Sequence, residues 1–305
     1  MKLALGAAAL LVLGGAIAAV AVAWRGSGGG SPVATAPLTV GVSHPASPPP
    51  GAVVVAAESG NRAVALAVGH GRLTATVLAA SGSPQGGLSV SFRLGARVLK
   101  ATPCGAGCYT AAASHPSRVE VRASGGPPVS FRIPARPRPA AAIFRRATAV
   151  YRGLHSLVYF ESLRSTPTGG LDTRWEMEAP NRFAYKIKGG ASGIVIGDRR
   201  WDQTKPGGAW TRPQQTTPSR MPVPPWIDRA QNAYVLRTGR VDGRPVWVVS
   251  FAKPTVPEWF TAWIDQKNYR TLRLRMTAAS HFMFHRYVEF NGPLKIVPPS
   301  RRSGG

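Results

Sequence analysis

The chain opens on an uncharged apolar run from Leu3 to Trp24, preceded by Met1-Lys2 and closed by Arg25. About 20 apolar residues is the length a helix needs to cross a bilayer. Lys2 and the amino terminus would stay inside by the positive-inside rule. The pattern therefore predicts a transmembrane anchor over residues 1–25: a single pass at the cell membrane, with the body outside the cytoplasm. Ala21-Val22-Ala23 also offers an A-x-A cleavage site, so the alternative is a signal peptide cut near Ala23 and a secreted body. No cysteine follows the run, which excludes a lipid-modified N-terminal cysteine. Residues 26–50 read as a linker, flexible over Gly26-Ser27-Gly28-Gly29-Gly30-Ser31 and stiff at Pro48-Pro49-Pro50.

Residues 51–134 alternate with period two. Leu73 to Leu78 interleaves with Thr74 and Thr76. Leu88, Val90, Phe92 and Leu94 alternate with Ser89, Ser91 and Arg93; Val119 and Val121, then Val129, Phe131 and Ile133, continue the pattern. Ser81-Gly82-Ser83-Pro84 and Gly125-Gly126-Pro127-Pro128 supply turns. Short alternating strands with regular turns predict an all-β antiparallel sandwich. A Pro/Arg linker over 135–140 follows.

The period then changes. Ile143, Ala147, Val150 and Leu154 are spaced by four, three and four residues, widened by Phe144 and Tyr151, with Arg145, Arg146 and Arg152 on the wet side. This predicts an amphipathic helix over Ala141 to Leu154. Strands resume at Val158 to Leu163 and run on to Phe282–Phe290, giving an α+β second domain over 141–299. Within it, five prolines between residues 211 and 226 preclude a central strand and suggest a lid or an edge cover.

Composition narrows the partners. Lys and Arg number 38 against 13 Asp and Glu, a formal charge of +25. Anionic lipid headgroups or an anionic cell-wall polymer fit this charge. Nucleic acid does not, because the basic residues are spread along the chain without a dense basic helix. The two cysteines, Cys104 and Cys108, flank Gly-Ala-Gly, a spacing that closes a small disulfide loop in an oxidising compartment. The alternative is a reduced pair that binds a soft metal such as Cu(I).

The second half resembles the LolA/LppX type of lipoprotein- and lipid-carrier domain. The likeness lies in the helix leading into Ser156-Leu157-Val158-Tyr159-Phe160, in Trp201-Asp202, in Gly243-Arg244-Pro245-Val246-Trp247, in Trp263-Ile264-Asp265, and in the closing run from His281-Phe282-Met283 to Phe290-Asn291. It implies a strongly curved antiparallel half-barrel whose concave face holds acyl chains beneath a covering helix. The first half resembles the YtkA-like immunoglobulin-type domain through Gly87 to Phe92, Cys104 to Tyr109 and Val129 to Pro134. This order of modules is similar to the C-terminal part of actinobacterial CopC/CopD-type copper-transport proteins. That resemblance implies an accessory role in copper handling beside a CopD-like permease.

Two candidate sites follow. The first is an apolar groove for a lipid or acyl chain, built from Trp175 with Met177, Phe183 with Tyr185 and Ile187, Trp247 with Val249 and Phe251, and Leu272 with Leu274 and Met276. Each of these sets lies on one face of its strand. The second is His281-Phe282-Met283-Phe284-His285, where alternation aligns His281, Met283 and His285 as a ligand set for copper. No H-E-x-x-H, G-x-S-x-G, phosphate loop or zinc cysteine pattern is present. The few carboxylates are scattered, so the chain reads as a binding protein rather than an enzyme. A third reading is a structural envelope module held by its basic surface.

Overall fold

The computed structural model describes residues 47–300, apart from 81, 165–169, 215–229, 254–256 and 279–280. The first half contains β1 (Val53–Ser59), β2 (Arg62–Gly69), β3 (Arg72–Leu78), β4 (Val90–Leu94), β5 (Arg97–Lys100), β6 (Thr102–Gly105), β7 (Cys108–Ala112), β8 (Arg118–Ala123) and β9 (Val129–Arg132). They form two antiparallel sheets, ordered β1-β2-β3-β7-β6 and β5-β4-β8-β9. Val64, Leu66, Leu73 and Val77 of the first sheet meet Phe92, Val119, Val121 and Phe131 of the second in one dry core. Cys104 and Cys108 are joined by a disulfide across the β6–β7 hairpin. Gly107 in that hairpin has φ +61°, and a Cβ there would stand 2.6 Å from the Val77 carbonyl oxygen. Only glycine lets the loop sit so close to β3.

The second half contains β10 (Arg138–Pro139), α1 (Ala141–Arg152), β11 (Ser156–Arg164), β12 (Gly170–Glu178), β13 (Arg182–Ile187), β14 (Ser192–Ile196), β15 (Arg199–Gln203), β16 (Trp210–Thr211), β17 (Gln231–Val241), β18 (Arg244–Lys253), β19 (Glu258–Asp265), β20 (Thr271–Ala278) and β21 (His281–Phe290). Its strands form one antiparallel sheet ordered β10-β17-β18-β19-β20-β21-β11-β12-β13-β14-β15-β16. The segment read as a Pro/Arg linker thus contributes a short edge strand, where the missing proline N–H is tolerated.

Nine of these strands, from β14 round to β17, send side chains into a single core beneath α1. Nine strands laid flat would span about 40 Å, whereas a helix of this length covers about 18 Å. One continuous core on one face therefore requires the sheet to curl around the helix, and the sheet is indeed curved. The helix is set by its apolar stripe: Ala147 is buried, Ile143, Phe144 and Tyr151 pack on the core, and Gly153 caps the end. The ring of Phe144 meets Phe251 edge-on at 4.8 Å.

The halves are packed against each other. Ala52, Val54, Ala63, Ala65, Ala67 and Leu78 form a dry layer with Ala252, Trp259 and Phe282 on the outer face of the large sheet. Asn232 Nδ2 donates to the carbonyls of Pro49 (2.7 Å) and Ala52 (2.9 Å), and Tyr234 Oη donates to Gly51 O at 2.9 Å. The order of layers is therefore four-stranded sheet, five-stranded sheet, large sheet, helix. Strand β2 is buried on both faces, which is why Ala63 to Val68 is apolar without interruption.

The expected transmembrane helix finds no counterpart among the described residues. Among the described residues no helix is long and apolar enough to cross a membrane. The helix α1 has 12 residues, too short for a hydrocarbon core about 30 Å thick. Residues 1–25, on which the expectation rested, lie outside the described residues, as does most of the 26–50 linker. The tethered single-pass placement has no structural support and is dropped.

Candidate functional site

The structure places Trp175, Met177, Phe183, Val249, Phe251 and Leu274 in the core under α1, with Tyr185, Trp247 and Met276 packed against it. Ile187 pairs with Thr173 at the end of β13 and is half-buried. Leu272 departs from the set. It is the extra residue of a bulge on β20, where Thr271 opposes Ile264 and Arg273 opposes Trp263. The bulge turns it into a separate cluster with Val241, Val246 and Val248. The concave face is thus occupied by the protein's own aromatic side chains, including Tyr159 stacked on Trp175 and Phe251 on Phe260.

A polar group is buried in this apolar layer. His285 Nε2 lies 2.8 Å from Glu161 Oε2, His285 Nδ1 lies 3.1 Å from Tyr287 Oη, and Trp175 Nε1 donates to Glu161 Oε1 at 3.4 Å. Glu161 is 8% exposed and His285 3%. Loss of solvation holds the phenols of Tyr159 and Tyr287 well above the ordinary tyrosine value, and the Glu161 carboxylate adds to it. Burial alone pushes the Tyr151 phenol up in the same way.

Alternation along β21 sends Met283 and His285 to the concave face and Phe282 and Phe284 to the outer one. Both ring nitrogens of His285 are engaged, and Met283 packs on the core opposite Leu163 and Met276. The side chain of His281 lies outside the described residues. The cysteines stand on a different sheet from the histidines, and they are oxidised. Among the described residues no group of three or more His, Cys, Asp or Glu could hold a metal ion.

The outer face carries an open cavity. A cleft of about 490 Å³ lies over β21, β11, β12 and β13, beside the area that the sandwich covers. Its floor is Phe160, 38% exposed, and Phe284. Arg286, Arg174, Lys186 and Lys188 surround it, with the Arg286 guanidinium 4.8 Å above the Phe160 ring. The signal for this site was present in the strand alternation, which places Phe160 and Phe284 on the faces opposite the core under α1. Reading only the apolar faces as functional hid it. The proline-rich segment read as a lid lies, over 215–229, outside the described residues.

No family model matches the chain, and no curated protein does. Among solved structures, the chain is similar to LprF from Mycobacterium bovis, at 14% identity and a TM-score of 0.41 over 53% of this chain and 97% of that one. It is similar to the Mycobacterium tuberculosis lipoprotein LppX, at 14% identity and a TM-score of 0.39 over 51% of this chain and 97% of that one. A LolA superfamily protein from Nitrosomonas europaea overlaps at 12% identity and a TM-score of 0.26, over 53% of this chain and 96% of that one. Overlaps at this level concern the path of the chain and nothing of what it binds. None of these three structures is a YtkA-like or CopC/CopD-type protein.

Proposed function

We propose that this protein is a non-catalytic, exported binding module that holds a lipid-like molecule by its acyl chain. The observation that supports the reading is the outer-face cleft, with an aromatic floor that the protein's own packing leaves open. Phe160 and Phe284 offer apolar surface to a chain, and each CH₂ removed from water contributes about 0.8 kcal/mol. The Cys104–Cys108 disulfide fits an oxidising compartment outside the cytoplasm. The sandwich covers the neighbouring part of the same sheet face, over Ala252, Trp259 and Phe282.

Organic extraction of the purified full-length chain, followed by mass spectrometry, should release an acyl-bearing molecule. Titration with decyl phosphate should show saturable binding that weakens in Phe160→Ser. A chain with neither co-purified lipid nor saturable binding would be a structural envelope module instead.

A further inference from the structure

Strand register arranges the outer face in transverse rows. Arg273 opposes Arg286, Arg286 opposes Phe160, Phe160 opposes Arg174, and Arg174 opposes Lys186. Four cations and one aromatic ring thus cross five neighbouring strands in a single line. Directly opposed like charges destabilise a strand pair, yet this row holds two such pairs, Arg273 with Arg286 and Arg174 with Lys186. The flanking carboxylates relieve only part of the repulsion. Arg174 pairs with Glu176, Arg273 Nη2 pairs with Asp242 at 3.2 Å, and Asp172 is taken by Arg164 at 3.1 Å. Neither Lys186 nor Lys188 meets a carboxylate among the described residues. Both are exposed and line the cleft, Lys186 on β13 and Lys188 in the turn that follows it.

Building on the acyl-chain reading, we propose that the ligand is a single-headed anionic amphiphile. Its phosphate or carboxylate sits between Lys186 and Lys188 beside Arg174, and its chain runs back over Phe160 and Phe284. Charge complementarity selects this occupant. A neutral lipid would leave Lys186, which opposes Arg174, without a counter-charge, and an anion without a chain would leave the aromatic floor in water. An anionic head accepts charge-assisted hydrogen bonds from two ammonium groups at once.

The full-length chain is titrated with three probes: decyl phosphate, decanol and inorganic phosphate. Decyl phosphate should bind at least about tenfold more tightly than decanol, the factor one charge-assisted contact supplies. The margin should shrink with added salt. The Lys186→Gln/Lys188→Gln double variant should erase it and leave decanol unchanged. Equal affinity for decyl phosphate and decanol would overturn the anionic head while the acyl-chain reading stands. Failure of both alkyl probes would overturn the reading itself. Inorganic phosphate binding as tightly as decyl phosphate would overturn the amphiphile in favour of a free anion.

Discussion

Phe282 and Phe284 stand two residues apart on the same face of β21, yet one is sealed beneath the sandwich and the other floors the open cleft. Phe282 is 8% exposed and packs with Trp259 and the alanines of the sandwich, whereas Phe284 is half-buried with its ring 6.3 Å from Trp263. The edge of the domain contact runs between them. Removing each ring should separate folding from binding. Phe282→Ala should cost about 3–5 kcal/mol of stability in urea unfolding, because it empties a dry interface. Phe284→Ser should change stability by less than about 1 kcal/mol and weaken decyl phosphate binding severalfold.

The buried Glu161–His285 contact should be costly to break. In Glu161→Leu, His285 Nε2 and Trp175 Nε1 lose their acceptor inside an apolar layer. An unfolding loss of about 3 kcal/mol is expected. The double variant Glu161→Leu/His285→Leu should lose less than the two single changes added together, because neither polar group is then left alone. Strict additivity in the unfolding measurements would show that the two side chains do not act as a pair.

Sheet-on-sheet contact depends on small residues. Ala63, Ala65 and Ala67 of β2 face the large sheet while Val64, Leu66 and Val68 face the sandwich core. Ala65→Leu should force the layers apart and cost about 1–3 kcal/mol. Protease digestion of that variant should cut first between the halves. Uncut chains, at unchanged stability, would mean that the interface has room to spare.

Alkaline pH should unfold the protein through its buried tyrosines. The phenols of Tyr151, Tyr159 and Tyr287 are raised by burial. In the unfolded chain they ionise near the ordinary value of about 10. Below that pH both states carry neutral phenols, and the stability is fully present. As pH rises past it the unfolded state releases protons first, so stability is lost progressively toward the raised folded values. Circular dichroism against pH should show a cooperative loss starting above about pH 10. Tyr159→Phe should make that loss less steep.

Much of this architecture was determined by local pattern. Period-two alternation specifies a strand and both its faces, so the two β-rich halves, the face assignments along β21 and the helix from Ala141 could be read directly. The spacing of Cys104 and Cys108 likewise suits a hairpin disulfide. What only the tertiary structure decided were relations between distant segments. The β20 bulge takes Leu272 away from its expected neighbours, because a single extra residue reverses the face. Packing of the sandwich on the large sheet buries both faces of β2. The cleft arises where that packing stops, bringing Phe160, Arg174, Lys186 and Phe284 together from four strands. Alternation fixes which way each of these side chains points. Only strand register and sheet packing fix which of them become neighbours, and which are left open to a ligand.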